Sequence, residues 1–134
     1  MSNADVPKME PSEFRLLRDL IGYTQVDVAD AGVAAGPRTV ANWDAVHSPS
    51  PQATAWLLEQ KELFASRLRE ALEAPMVTQT DENGEAVVLL KRYETDEALH
   101  ADHPEYARVR HYDAHLRAVA AVLASRGVAY RIIT

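Results

Sequence analysis

The chain has no cysteine among its 134 residues. This absence excludes a disulfide scaffold, a cysteine nucleophile and a metal site built from thiolates. It also fits a reducing compartment, because secreted domains of modest size commonly depend on disulfides. We therefore expect a cytoplasmic protein.

Glycine and long apolar runs are scarce as well. The five glycines fall mostly at the ends of predicted helices, and they form neither a phosphate-binding loop nor a nucleophile elbow. No apolar run approaches the roughly 20 residues of a transmembrane helix, and the first residues lack the apolar segment typical of a secretory signal. We expect no enzyme, no catalytic residue, no cofactor and no membrane partner.

The composition is that of an ordinary globular protein, with 47% hydrophobic and 25% charged residues. The net charge of −6 argues against a protein that coats nucleic acid or a membrane surface. Sequence-specific DNA binding stays open, because a local basic face can lie on an acidic protein. We exclude residues 1–10 from the fold, as a disordered segment or a cloning remnant.

Apolar periodicity and capping residues predict four to five helices in residues 11–74. Either Ser12 is the N-cap of the first helix, or Pro11 and Ser12 share its start, and Gly22 follows its end. The apolar stripe of this helix, which we expect to be buried, consists of Phe14, Leu17, Leu20 and Ile21.

Two short helices follow. Thr24 caps the first of them, and Asp27, three residues on, completes a capping box. Gly36-Pro37 begins the second, since proline suits the first helical position. Val40 and Trp43 are three residues apart on its predicted buried face.

Ser50 and Pro51 open a long helix that we expect to end near Glu73. Its apolar residues at helical spacing are Leu57, Phe64, Leu68 and Leu72. We interpret this stripe as ordinary burial against the core, and a partner interface on the same helix is the alternative.

The pattern changes at Ala74-Pro75, which we take as a domain boundary. Two β-rich runs, 76–80 and 85–93, flank Asn83-Gly84, a strong hairpin signal. Two helices and a final strand follow. Residues 75–134 are therefore predicted to form a small α+β domain of order β-β-α-α-β, and the whole chain is predicted to be mainly α.

The two short helices are a helix-turn-helix candidate. In that motif the second helix enters the major groove, and the first presents its N-terminus, here Thr24 and Gln25, to a phosphate. On the second helix, Arg38 can pair with guanine and Asn42 with adenine. An exposed, solubilising role is the alternative for Arg38.

Residues 12–60 resemble the lambda Cro and repressor class of helix-turn-helix domains. The segments that carry the resemblance are residues 16–25, 28–29, 32–33 and 38–44. The resemblance implies that Gln25 and the exposed side of residues 37–42 touch DNA. The residues that we predict to bind DNA are Thr24, Gln25, Pro37, Arg38, Thr39, Ala41, Asn42, His47 and Ser48.

The chain departs from that class in three places, one of which is the lack of the usual glycine in Ala45-Val46-His47. The turn between Gly32 and Trp43 is longer than usual, and Asp44 replaces a glutamate. Together with the small α+β tail, these features are similar to YdiL-type regulators and to anti-CRISPR-associated autorepressors. Residues 112–127 resemble the tail helix of those proteins. This resemblance implies homodimerisation through residues 75–134.

The sequence therefore predicts a DNA-binding transcriptional regulator, a repressor that acts as a homodimer on an inverted repeat. A dimer is expected because one recognition helix reads only a few base pairs. The alternative is an antitoxin or protein-interaction module whose tail binds a partner protein.

A third hypothesis, a metal sensor, comes from the histidines of the tail. They are His100, His103, His111 and His115. The last two are one helical turn apart, which is a spacing that zinc sites use. We nevertheless expect no metal, and we interpret these histidines as partly exposed residues on an acidic surface.

Overall fold

The computed structural model describes residues 6–134, which form six α-helices and a three-stranded sheet. The helices are α1 (Pro11–Leu20), α2 (Gln25–Asp30), α3 (Pro37–Ala45), α4 (Pro51–Glu73), α5 (Asp96–Asp102) and α6 (Val109–Ser125). The strands are β1 (Thr78–Thr80), β2 (Ala86–Lys91) and β3 (Tyr130–Ile133). The mainly helical fold is confirmed, and the last five elements follow the predicted order β-β-α-α-β.

Part of the segment that was excluded from the fold, residues 1–5, lies outside the described residues. The exclusion is wrong for Met9, which is only 3% exposed and belongs to the first hydrophobic core together with Phe14. Burial of this long apolar side chain is favourable and gives the segment before α1 a place in the fold.

Two helix caps, at the starts of α4 and α5, are present as hydrogen bonds, and the one at Ser50 was predicted. The Ser50 hydroxyl accepts the backbone N–H of Ala53 at 3.1 Å at the start of α4. The Thr95 hydroxyl accepts the backbone N–H of Ala98 at 3.1 Å at the start of α5. Each bond satisfies a backbone donor that has no partner within the helix.

The predicted cap at Ser12 is wrong. Pro11 is the first residue of α1, so the N-cap position falls on Glu10, whose side chain makes no capping hydrogen bond. Proline fits this first position because it has no N–H to satisfy. Ser12 therefore lies inside the helix, where its side chain is exposed.

The chain divides into two compact units, and residues up to Ala65 form the first. In this unit α3 packs against both α1 and α2. Its core contains the ring of Trp43, which meets the ring of Phe14 edge-on, with 5.8 Å between the centroids. The buried members of this core are Met9, Phe14, Ile21, Val28, Val40, Trp43, Ala53 and Leu57.

The buried side of α1 differs from the predicted apolar stripe. Phe14, Arg18 and Ile21, spaced by four and three residues, are buried, and Arg18 is only 6% exposed. Leu20 is 55% exposed, so its prediction as a core residue is wrong. Leu16, four residues before Leu20, is also exposed. The two side chains lie on the same side of α1, because four residues make about one helical turn.

The second unit begins at Ser66 and contains the sheet. β1 and β2 pair antiparallel, with Gln79 opposite Val87, which confirms the predicted hairpin. β3 lies parallel to β2, with Arg131 opposite Leu89, and the strand order is β1-β2-β3. Parallel neighbours require a crossover connection, which α5 and α6 supply.

The hairpin turn is stabilised by one carboxylate. Asp81 Oδ1 accepts the backbone N–H groups of Asn83 and Glu85 at 2.9 and 2.8 Å. Gly84 has a φ of +81°, in the left-handed region that disfavours residues with a side chain. These two features explain why an Asp-x-Asn-Gly sequence turns the chain here.

Helix α6 contacts β3, and the core of the second unit lies on one face of the sheet. The buried members of this core are Val88, Leu90, Tyr93, Leu99, Tyr106, Tyr112, Leu116, Val119 and Leu123. Because side chains alternate along a strand, Val87 and Leu89 belong to the opposite face.

The division between the units falls within α4, between Ala65 and Ser66. The physical reason is the packing of the last turns of α4. Leu68 and Leu72 pack against the core of the second unit, so these turns belong to it. Helix α4 is the longest helix within residues 6–134, and no helix there combines the length and apolarity needed to span a bilayer.

Candidate nucleic-acid interface

The predicted interface begins with the capping box of α2. The Thr24 hydroxyl accepts the backbone N–H of Asp27 at 3.2 Å, and the Asp27 carboxylate accepts the backbone N–H of Thr24 at 2.8 Å. Both halves of the predicted capping box are therefore present. Thr24 is exposed, and its hydroxyl oxygen already accepts one hydrogen bond, so a contact to a phosphate would use its O–H as donor.

Two glycines set the turn between α2 and α3. Gly32 has a φ of +80°, which ends α2 in the left-handed conformation. Gly36 is the extended N-cap of α3, and Pro37 is the first helical residue, as predicted. The turn therefore fixes where α3 starts and which side of it faces the core.

The inner side of α3 is anchored by two apolar side chains. Val40 is fully buried, and Trp43 is 9% exposed. Trp43 contacts the α1 side of the core through the ring of Phe14. The predicted buried face of this helix is confirmed, and a rotation of α3 about its axis would expose both anchors to water.

The outer side of α3 carries the predicted base-reading residues. Arg38 and Asn42 are both exposed and are four residues apart, so their side chains lie one helical turn from each other. Pro37 is exposed, whereas Thr39 and Ala41 are half-buried. Within residues 6–134, no hydrogen bond or ion pair engages the Arg38 guanidinium.

Gln25 is held by a residue of α3. Its side-chain amide donates to Asp44 Oδ2 at 3.1 Å, and Gln25 is half-buried. One N–H of the Gln25 amide is thereby committed within the protein, and the second is available to an external acceptor. The contact fixes the orientation of Gln25 at the N-terminus of α2.

Arg18 is a second partner of Asp44, and the sequence pattern did not predict this contact. Its guanidinium donates to the same Asp44 oxygen at 2.5 Å and to the backbone carbonyl of Tyr23 at 3.0 Å. Arg18 is not part of the apolar stripe predicted for α1, and arginine is a residue type that is mostly exposed. No local signal reveals this burial, because the partner is 26 residues away in the sequence.

His47 and Ser48 follow α3 in a turn. The backbone N–H of His47 donates to the carbonyl of Asn42 at 3.0 Å, next to the equivalent bond from Val46 at 2.9 Å. The His47 side chain is exposed and that of Ser48 is half-buried. These contacts place the predicted phosphate-binding turn directly at the C-terminal end of α3.

Cationic charge is sparse around this surface. Arg38 is the one lysine or arginine between Asp19 and Lys61 in the sequence. Within that stretch of the sequence, Arg38 is therefore the one side chain with a permanent positive charge that can attract a phosphate. Arg15 on α1 adds an exposed positive charge beside Asp44 and Ala45, at the C-terminal end of α3.

Two of the four tail histidines are buried, although all four were predicted to be partly exposed. His111 and His115 are 7% and 8% exposed, because both lie on the buried side of α6. The ring of His103 stacks on Tyr112, with 4.8 Å between the centroids. Among the described residues, no three potential ligands from histidine, aspartate and glutamate converge in a geometry that holds a metal.

Burial lowers the pKa of His115, and nearby positive groups at His103 and Arg67 lower it further, while Glu105 acts in the opposite direction. His115 is therefore held towards its neutral form.

Comparison with known proteins adds no assignment, since no family model matches the chain and no curated protein matches it.

Proposed function

We propose that the protein is a sequence-specific DNA-binding regulator in which α2, the turn and α3 act as a helix-turn-helix. The observation that carries the proposal is the two-sided character of α3. Val40 and Trp43 anchor its inner side, whereas Arg38 and Asn42 are exposed on its outer side. A recognition helix needs this combination of a fixed position and free polar groups.

The chemistry of the two exposed side chains suits base reading. A guanidinium donates two parallel hydrogen bonds to O6 and N7 of guanine, and a carboxamide pairs with N6 and N7 of adenine. Arg38 and Asn42 lie one turn apart, so they reach neighbouring base pairs. Gln25 and Thr24 then contact the phosphate backbone from the N-terminus of α2, and His47 and Ser48 contact it from the other end of α3.

We further propose that the protein acts as a homodimer through residues 75–134 and represses transcription at an inverted repeat. Two recognition helices related by a twofold axis double the number of base pairs read. Strand β3 supports this proposal, because its free edge carries exposed apolar side chains. Tyr130, Ile132 and Ile133 are 37%, 49% and 39% exposed.

Selection of bound sequences from a random DNA pool tests the DNA-binding proposal. We expect recovery of a twofold-symmetric site with half-sites about one helical turn apart. Arg38→Ala and Asn42→Ala are then selected in parallel, and each is expected to lose preference at a different position of the half-site. Recovery of no enriched sequence by the native protein would refute the proposal.

The dimer is tested by sedimentation equilibrium. Ile132→Glu places a charge on the exposed edge of β3 and is expected to yield monomers. Val77→Glu is the matched control, since Val77 is 70% exposed next to β1 at the other end of the sheet. A dimer that survives Ile132→Glu places the interface elsewhere, and a tail that recruits a different protein into a complex of mixed stoichiometry favours the antitoxin alternative.

A further inference from the structure

A cleft of about 380 Å³ lies on the sheet of the second unit, on the face opposite its core. Strand register explains which side chains line it. Gln79 lies opposite Val87, and Leu89 lies opposite Arg131, so all four belong to one face. The hairpin turn closes one end of the cleft with Thr80, Asp81, Glu82 and Asn83.

Most of the cleft lining is polar, and its two apolar residues are Val87 and Leu89 on β2. Val87 is only 8% exposed, although it lies on the face opposite Val88 and Leu90, which belong to the core. Leu89, its neighbour along the same face, is half-buried. Val87 is already sheltered, so an apolar group that enters the cleft displaces water chiefly from Leu89.

Opposite charges stand at the two ends of the cleft. The guanidinium of Arg131 lines the cleft from β3, and no hydrogen bond or ion pair engages it in the described part of the chain. Glu82 and Asp81 line the cleft from the turn. Asp81 already accepts two backbone N–H groups through Oδ1, so Glu82 carries the freer of the two negative charges.

We infer that this cleft binds a small zwitterion with an apolar body, of the size and charge pattern of an apolar dipeptide. Its carboxylate pairs with Arg131, its ammonium lies at Glu82 and Asp81, and its apolar side chains cover Val87 and Leu89. A simple anion is repelled by the acidic end, and a simple amine is repelled by Arg131. The cavity volume falls within the roughly 300–1,000 Å³ typical of small-molecule sites.

This site belongs to the second unit alone and does not depend on the proposed DNA binding. A ligand is therefore tested on the free protein, in the absence of DNA. Failure of the test would leave the role of α3 untouched, and failure of DNA binding would leave the cleft untouched.

The probe is leucyl-leucine, titrated into the ¹⁵N-labelled full-length protein and followed by NMR chemical shifts. We expect saturable shifts in the backbone amides of β2, β3 and the hairpin turn. N-acetyl-leucyl-leucine removes the ammonium, and leucyl-leucine amide removes the carboxylate. Each derivative is expected to bind about tenfold more weakly than leucyl-leucine, because one charge-assisted contact is lost.

Two arginine variants separate a specific site from general charge. Arg131→Gln is expected to weaken leucyl-leucine about tenfold and to leave binding of the amide derivative unchanged. Arg126→Gln, at the exposed end of α6 and outside the cleft, is the control and is expected to change neither. The inference is overturned by the absence of saturable shifts, or by equal binding of leucyl-leucine to the native protein and to Arg131→Gln.

Discussion

The guanidinium of Arg18 on α1 donates to the carboxylate of Asp44 on α3 at 2.5 Å, and the two side chains are only 7% and 9% exposed. The same carboxylate oxygen accepts the amide of Gln25 on α2. One acidic side chain therefore joins all three helices that position the outer side of α3. Removal of Asp44 would leave the buried Arg18 guanidinium with the Tyr23 carbonyl and the exposed carboxylate of Asp19 as its remaining partners.

We expect Asp44→Ala to lower the free energy of unfolding by about 3–5 kcal/mol, because removal of one partner of a buried ion pair is strongly unfavourable. Urea denaturation of the full chain measures the loss. Asp19→Ala is the matched control, since Asp19 also approaches Arg18, at 3.6 Å, but is 59% exposed. Its loss should stay within about 1 kcal/mol, and equal losses for the two variants would show that burial of the pair is unimportant.

The capping box gives a second prediction. Thr24→Ala removes the hydroxyl that accepts the Asp27 N–H, and should lower the unfolding free energy by about 1 kcal/mol. Ser12→Ala serves as control, because Ser12 is exposed within α1 and the cap of that helix falls on Glu10. The control should stay within about 0.5 kcal/mol of the native protein. A larger effect at Ser12 than at Thr24 would mean that the assigned start of α1 is wrong.

His115 gives a pH dependence with a definite sign. Its pKa is lowered in the folded protein, chiefly by burial, so the unfolded chain binds the proton more readily. Stability is then complete above the unfolded pKa of about 6.5 and falls as the pH drops below it, until the folded pKa is reached.

Thermal unfolding at a series of pH values, compared between the native protein and His115→Gln, isolates this contribution. The variant is expected to lose less stability on acidification from neutral pH than the native protein does. Superimposable pH profiles would contradict the assignment of a lowered pKa to His115. The neighbours that share its surroundings, His103, Arg67 and Glu105, are unchanged in the comparison.

Tyr93 makes a buried contact in the second unit. Its hydroxyl donates to Asp102 Oδ2 at 2.6 Å, and burial with the neighbouring carboxylate raises the pKa of Tyr93 above its usual range. Tyr93→Phe should lower the unfolding free energy by about 1 kcal/mol, since the ring stays and one hydrogen bond is lost. Tyr130→Phe, at an exposed position of β3, is expected to leave the unfolding midpoint unchanged. Equal effects of the two substitutions would show that the hydrogen bond from Tyr93 to Asp102 does not stabilise the fold.

Local signals account for much of what the sequence predicted correctly. A cap or a turn depends on residues within three or four positions of one another. The sequence therefore predicts the capping box at Thr24 and Asp27, the start of α3 at Gly36-Pro37 and the hairpin turn at Asn83-Gly84. The start of α4 follows from Ser50 and Pro51 in the same way. Trp43 and Val40 were placed correctly because three-residue spacing defines one side of a short helix.

The errors concern residues whose environment is set by distant partners. Arg18 is buried by Asp44, and Met9 by the core beyond α1, whereas Leu20 remains exposed despite its apolar side chain. His115 was interpreted as partly exposed, because histidine as a residue type is intermediate in burial. The sequence did not predict that α4 passes from one unit to the other at Ala65, since a continuous helix carries no sequence signal for such a change.

The affinity of the protein for its selected DNA site, measured over a series of salt concentrations, tests the role of α3 most directly. Arg38→Ala is expected to weaken binding by about 1–3 kcal/mol at fixed salt through loss of a base contact. Arg15→Ala, which changes another exposed arginine, on α1, is expected to bind like the native protein. Equal affinities for the native protein and Arg38→Ala, or an equal loss for both variants, would contradict a base-reading role for the outer side of α3.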